Sequence, residues 1–178
     1  MSEQTKQSIA QAFDRSARAG LVREPGDRFE IAVADGRKSA ELPGEKLLVI
    51  TISSFVFRLL TIFRIAEVPA VRTYYAGGAA ERTVAEAFAE FANLCCGALS
   101  REMSGHFPHL AMSIPYTLNS RCMALLGELQ PQYLASYEIT INESVKLQAT
   151  LCMCCYAPVD IAAGALAVEE NSGELQLF

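Results

Sequence analysis

Two blocks of predicted strands, separated by a single long helical segment, constrain the fold of this chain most strongly. Residues 46–66 contain two runs rich in β-branched and aromatic residues, KLLVITISS and FVFRLLTIFRI. Residues 110–156 contain four more runs, LAMSIPYTL, RCMALLGEL, YLASYEITI and SVKLQATLCMCCY, with no helix between them. Strands joined without a crossover helix pair in antiparallel fashion. The sequence therefore predicts an α+β fold, an antiparallel sheet with two long helices packed on one face.

Apolar periodicity and helix-ending residues predict three helices. The first covers residues 4–19 and ends at Gly20, a short one covers residues 69–76 before Gly77 and Gly78, and the long one covers residues 81–104.

The N-terminal region is predicted to hold a further strand, FEIAVA, followed by a turn at Asp35-Gly36. Another turn is expected at Asn142-Glu143. We interpret residues 1–45 as an N-terminal helix and arm packed on the same domain, and residues 46–178 as the main domain. The tail, residues 159–178, is expected to be a short helix followed by an exposed end.

Composition excludes several classes of function. Of the 178 residues, 51% are hydrophobic and 20% charged, with a net charge of −5. Such a chain can bury a sizeable core, and its negative charge disfavours nucleic acid and anionic membranes as partners. The longest apolar run, LLVITISSFVFRLLTIF, is interrupted by Ser53, Ser54 and Arg58, so no membrane insertion is expected. The N-terminus lacks the pattern of a signal peptide, and we expect a cytoplasmic protein.

The cysteines and histidines do not form a convincing metal motif. No pair of cysteines has C-x-x-C spacing, and His106 and His109 straddle a proline. We interpret the cysteines as reduced core residues and expect neither a metal site nor a cofactor. A redox or metal role for Cys152, Cys154 and Cys155 is the least favoured alternative.

The segment EAFAEFANLCCG, residues 86–97, carries the candidate site. At about 100° per residue, Glu86, Glu90, Asn93 and Gly97 fall within about 60° of one another on a helix. We call these four residues the ridge. The packing face lies opposite and consists of Val84, Phe88, Phe91 and Cys95.

The neighbours of the ridge are small or apolar, namely Ala89, Leu94 and Cys96, whereas a solvated helix face usually carries long polar side chains there. Gly97 adds a notch that lets another backbone come close. The ridge is therefore either a plain solvated face or a docking surface.

Glu90-x-x-Asn93-x-x-x-Gly97, followed by Ser113-Ile-Pro115, resembles the signature of the CheC/CheX family of chemotaxis phosphatases. The resemblance covers residues 46–156 and includes the order of helices and strands. Glu86 stands where the family usually has Asp or Ser, and Pro115 comes one residue early. The single copy of the motif is more like CheX than the two-site CheC.

This resemblance implies a phosphatase that hydrolyses the aspartyl phosphate of a phosphorylated CheY-like response regulator. It implies that Asn93 orients the attacking water and that Glu90 pairs with the active-site lysine of the regulator. Glu86, Ala89, Cys96 and Gly97 would contact the partner. The Mg²⁺ would belong to the regulator, and the chain would form a homodimer. The alternative is an inactive CheX-like binding module.

Overall fold

The computed structural model describes residues 1–34, 46–77 and 82–161. The predicted turn at Asp35-Gly36, Gly78 and the predicted tail helix lie outside these residues, as does the boundary at residue 45 between the two predicted regions. No helix in the described ranges is long and apolar enough to cross a membrane.

Three α-helices and one 3₁₀ helix are found in the described residues. The α-helices are α1 (Glu3–Leu21), α2 (Pro69–Ala76) and α3 (Val84–Ser104), and the 3₁₀ helix covers Ser120–Leu129. The short helix α2 matches its predicted bounds, with Pro69 in its first turn and Gly77 closing it at a φ of 60°. Only glycine adopts that backbone conformation without cost.

The strands of the described residues form one antiparallel sheet. They are β1 (Phe29–Val33), β2 (Lys46–Ser53), β3 (Phe57–Ile65), β4 (Ala111–Met112), β5 (Tyr116–Asn119), β6 (Tyr133–Ile141) and β7 (Val145–Cys155). Their order in the sheet is β1-β6-β7-β3-β2-β4, and β5 pairs with β2 beside β4. The turn predicted at Asn142-Glu143 joins β6 to β7, with φ values of 48° and 63°.

Both long helices cover the same face of this sheet, as predicted. The main core contains apolar side chains from α1 and α3 together with alternate residues of β3, β6 and β7. In β7 the residues facing this core are Val145, Leu147, Ala149, Leu151 and Met153. The predicted α+β architecture is therefore confirmed.

Gly20 does not end the first helix, contrary to the sequence-based prediction. Helix α1 continues to Leu21 and packs against α3. A Cβ added at Gly20 would lie 2.2 Å from the backbone nitrogen of Cys95. Gly20 is therefore a contact residue, and it allows the backbones of α1 and α3 to approach closely.

The segment RCMALLGEL was predicted as a strand and is the 3₁₀ helix instead. The Asn119 side chain accepts a hydrogen bond of 2.9 Å from the Arg121 backbone N–H and so begins the helix. Leu126 packs on the far face of the sheet, in a small cluster with Leu47, Val49 and Cys152. Periodicity cannot separate strand from helix in a short apolar run, which is the reason for the error.

The segment LAMSIPYTL forms two short edge strands, β4 and β5, rather than one. Between the pairs Val49–Tyr116 and Ile52–Met112, three residues of the edge strand oppose two of β2. This extra residue makes a bulge at Ser113–Pro115. Proline has no N–H to donate to a ladder, so a bulge on an edge strand suits it.

Candidate functional site

The candidate site lies on α3, whose first turn is fixed by a capping box. Thr83 is the N-cap residue, and its hydroxyl accepts a hydrogen bond of 3.2 Å from the Glu86 backbone N–H. In return, Oε2 of Glu86 accepts from the Thr83 backbone N–H at 2.9 Å and from the Thr83 hydroxyl at 2.8 Å. These bonds lower the pKa of Glu86. Glu86 therefore has an intramolecular role in starting the helix.

The opposite side of α3 is anchored by aromatic contacts. The Phe88 ring meets Phe63 of β3 with centroids 5.4 Å apart and Tyr75 of α2 at 5.0 Å. Phe91 is half-buried, and its ring meets that of Tyr75 of α2 with centroids 4.9 Å apart. Pairs of this kind contribute about 0.5–1.5 kcal/mol beyond their buried area. They hold α3 with the ridge facing outward.

The structure places the polar ridge residues on the exposed side of α3. Glu86, Glu90 and Asn93 are exposed, and Gly97 is half-buried. Residues three and four apart on a helix are neighbours on its surface, so the Glu90 and Asn93 side chains project side by side. Among the neighbours of the ridge, Leu94 is 61% exposed.

Cys96 does not lie on this surface, although the sequence suggested it as a docking residue. It has no exposed area, and Ala89 is half-buried. The reason is that α3 packs against α1 as well as against the sheet. More of the helix surface is therefore buried than the packing face opposite the ridge. Cys96 belongs to the core, and a docking partner cannot contact its side chain without opening the α1–α3 packing.

Glu90 is engaged by a cation of its own chain. The guanidinium of Arg82 donates through Nη2 to Oε1 of Glu90, eight residues further along the chain. This bond raises the pKa of Arg82. The two side chains are 46% and 63% exposed, so the pair is accessible and weakly held.

The Asn93 carboxamide is exposed on α3. Among the described residues, no hydrogen bond to its side chain is found. A carboxamide has one acceptor oxygen and two N–H donors, so this group can accept from a water molecule and donate to an anion at once.

Gly97 is not required by the packing of α3. Within the described ranges, a Cβ added there would meet only the Arg101 guanidinium, at 3.6 Å, which is an ordinary contact. A glycine in a helix interior costs about 1 kcal/mol relative to alanine. The fold itself therefore gives no reason for glycine at this position.

The second part of the sequence motif lies on a different element from the ridge, the edge strand. Ser113 donates its backbone N–H to Thr51 at 2.9 Å, and its hydroxyl accepts from the Thr51 N–H at 3.0 Å. These bonds hold the bulge that contains Pro115 against β2. Helix α3 contacts β4, the strand that precedes this bulge.

Sequence reasoning missed two residues of the site, Thr83 and Arg82. The pattern Thr83-x-x-Glu86 before an apolar helix is a capping-box signal and could have identified the first. The second depends on how a long side chain folds back over two helical turns, for which the sequence carries no signal. In the part of the chain that the structure describes, no group of three or more His, Cys, Asp or Glu residues could hold a metal ion.

Comparisons with known proteins support the fold of this site. The sequence matches no family model and no curated protein. The chemotaxis protein CheX from Vibrio vulnificus has a similar structure, with a TM-score of 0.54, 12% identity, and coverage of 82% of this chain and 99% of that one. CheX in the CheX–CheY–BeF₃–Mg²⁺ complex from Borrelia burgdorferi gives a TM-score of 0.53, 9% identity, and coverage of 84% and 97%.

The middle domain of FliM from Vibrio alginolyticus is similar to the same extent, with a TM-score of 0.54, 12% identity, and coverage of 83% of this chain and 92% of that domain. At such identities the likeness shows a shared fold. The CheX-like architecture expected from the sequence is thereby confirmed.

Proposed function

We propose that this chain is a CheX-like phosphatase, which hydrolyses the aspartyl phosphate of a CheY-like response regulator. The observation that carries the proposal is the pair Glu90 and Asn93, exposed side by side on a helix whose opposite side is fixed in the core. This chain shares its fold with CheX, and the Borrelia burgdorferi structure is a complex of CheX with CheY. This likeness supports the choice of partner.

Asn93 is the residue that orients the attacking water. Its carboxamide oxygen accepts a hydrogen bond from the water, while its N–H groups donate to a phosphoryl oxygen. Positioning of this kind suffices for phosphoryl transfer, because the reaction depends mainly on alignment and on charge neutralisation. The Mg²⁺ that neutralises the phosphoryl group is expected in the regulator.

Glu90 binds the active-site lysine of the regulator in this proposal. An ionised carboxylate and an ammonium group form a charge-assisted hydrogen bond, which fixes the register of α3 on the regulator. Glu90 stands one helical turn before Asn93, so the same contact sets the position of the carboxamide over the phosphoryl group.

A binding module without hydrolysis is the second candidate, and two observations favour it. Glu90 is already paired with Arg82, so a partner's lysine has to share or replace that contact. The same fold also occurs in the FliM middle domain, and a fold does not by itself determine an activity.

Phosphate release from a phosphorylated CheY-like regulator separates the candidates. We expect the wild-type chain to accelerate release, and Asn93→Ala to slow the accelerated reaction by about 10²-fold or more while still binding. Glu90→Gln should weaken both binding and rate. Gln11→Ala, which removes an exposed carboxamide from helix α1, is the control and should keep the wild-type rate.

Three outcomes contradict parts of this proposal. Binding without acceleration by the wild-type chain supports the module instead. Wild-type rates in both Asn93→Ala and Glu90→Gln would show that the site is wrongly assigned. Stoichiometric zinc in the purified protein would favour the cysteine-based alternative. Burial raises the pKa of Cys152 to about 12, which disfavours the thiolate that a metal needs.

A further inference from the structure

The ridge presents two carboxylates to a partner that is itself anionic. Glu86 and Glu90 are both exposed on the side of α3 that carries Asn93. A phosphoryl group placed at Asn93 would lie within about two helical turns of both charges. Like charges across an interface oppose binding, so a surface built only from these groups would reject the phosphorylated form of the regulator.

Arg82 changes this balance. It precedes the N-cap Thr83, and its side chain folds back over the first two turns of α3 to reach Oε1 of Glu90. The Arg82 guanidinium also acts on Glu86, because its charge contributes to the lowered pKa of that carboxyl group. One positive charge is therefore bonded to Glu90 and also favours the charged form of Glu86.

The contact leaves room for a second cation on Glu90. Nη2 of Arg82 bonds only Oε1, and within the described ranges no other group bonds the Glu90 carboxylate. A carboxylate has about four acceptor positions on its two oxygens. The ammonium group of a lysine can therefore bind Oε2 while Arg82 stays in place.

We propose that Arg82 is a positioning residue of the site, which holds Glu90 ready for the partner's lysine and offsets the carboxylate charge facing the phosphoryl group. This inference rests on the proposed function and names a determinant of it. With Arg82 and the lysine both present, the charges of Glu86 and Glu90 are balanced. Without Arg82, one negative charge remains beside the phosphoryl group, so the preference for the phosphorylated regulator falls.

The test compares two forms of the regulator, unmodified and loaded with beryllofluoride as a stable mimic of the phosphoryl group. Arg82→Gln should bind the loaded form about tenfold more weakly and change the affinity for the unmodified form much less. Glu86→Gln in the same chain should restore most of the loss. Glutamine supports a capping box as glutamate does, so this second change removes charge and keeps the helix start.

Arg58→Gln is the matched control. Arg58 is exposed on the far face of the sheet, because its neighbours Phe57 and Leu59 face the helices. Arg58→Gln removes the same charge from the chain as Arg82→Gln does, and its affinities for the unmodified and the loaded regulator should stay at their wild-type values. Urea denaturation of each variant shows whether the fold is kept.

The outcomes separate this inference from the proposed function. Three results for Arg82→Gln would overturn the inference: an equal loss of affinity for both forms of the regulator, no loss, or tighter binding. If the wild-type chain still accelerates phosphate release, the proposed function stands in each of these cases. Tighter binding would mean that Arg82 competes with the lysine. A wild-type chain that neither binds nor accelerates overturns both.

Discussion

The same substitution, glycine to alanine, should have opposite effects in the two long helices. Gly97 lies in α3 and Gly20 in α1, and both are within their helices. At Gly97 an added Cβ meets the Arg101 guanidinium, at 3.6 Å, and no other atom of the residues that the structure describes, and that flexible group can move. Alanine there gains helix propensity and should raise the free energy of unfolding by about 1 kcal/mol, or about 2–4 °C in Tm.

Gly20 gives the opposite sign because its neighbour is backbone. The added Cβ would lie 2.2 Å from the nitrogen and 2.3 Å from the Cα of Cys95. Neither atom can move without shifting α3 relative to α1. Overpacking of this kind costs about 1–3 kcal/mol and more where the backbone has to shift, so we expect Gly20→Ala to lower the free energy of unfolding by about 3 kcal/mol.

Urea denaturation followed by circular dichroism measures both variants under identical conditions. A lower midpoint for Gly97→Ala would refute the argument that the fold does not need this glycine. An unchanged midpoint for Gly20→Ala would refute the close crossing of α1 and α3. If Gly97 serves docking, Gly97→Leu should bind the regulator less tightly than the wild type, since the notch is filled.

Three further predictions test the capping box, the acid response and the assembly. Thr83→Ala should lower the free energy of unfolding by about 1 kcal/mol in urea, and an unchanged midpoint would contradict the cap. Tyr74 and Asn142 hold the pKa of Asp27 below its usual range. The stability that Asp27 contributes is therefore present above its unfolded pKa of 3.8 and lost as the pH falls through the lower folded value. Unfolding midpoints between pH 6 and pH 3 should fall less in Asp27→Asn, and equal slopes would contradict this. We also expect a homodimer, because exposed strand edges favour pairing, and light scattering that finds only monomer at micromolar concentration would contradict it.

The fold was predictable where the pattern of side chains is long and regular. Strands β2, β3, β6 and β7 are eight or more residues long and rich in β-branched, aromatic and other apolar residues, and their bounds follow from the sequence within a few positions. The 3₁₀ helix at Ser120–Leu129 was not predictable, because its apolar run is short and its class is decided by packing on the far face of the sheet.

The site was predictable as an arrangement on one helix but not in its surroundings. Helical spacing alone places Glu90 and Asn93 side by side, and the structure exposes both. The burial of Cys96 depends on the packing of α1 on α3. Helix α1 lies 75 residues or more before Cys96 in the chain, so the sequence around Cys96 does not indicate this contact. The contact of Arg82 with Glu90 depends on the conformation of a long side chain, which the sequence does not determine.

The intramolecular contacts divide the ridge into residues that the fold uses and residues that it does not. Glu86 bonds Thr83, and Glu90 bonds Arg82, so changes at either alter the isolated chain. Asn93 has no such contact among the described residues, and the fold has no need for glycine at Gly97. Gly97 costs helix stability, and the packing of the described residues requires neither Gly97 nor the Asn93 carboxamide, so we expect both to serve a partner. Variants at Asn93 therefore report on function with little contribution from stability. A change at Gly97 has to be corrected for the helix propensity that it adds, about 1 kcal/mol for alanine, and a loss in a Glu86 variant has to be corrected for the helix start.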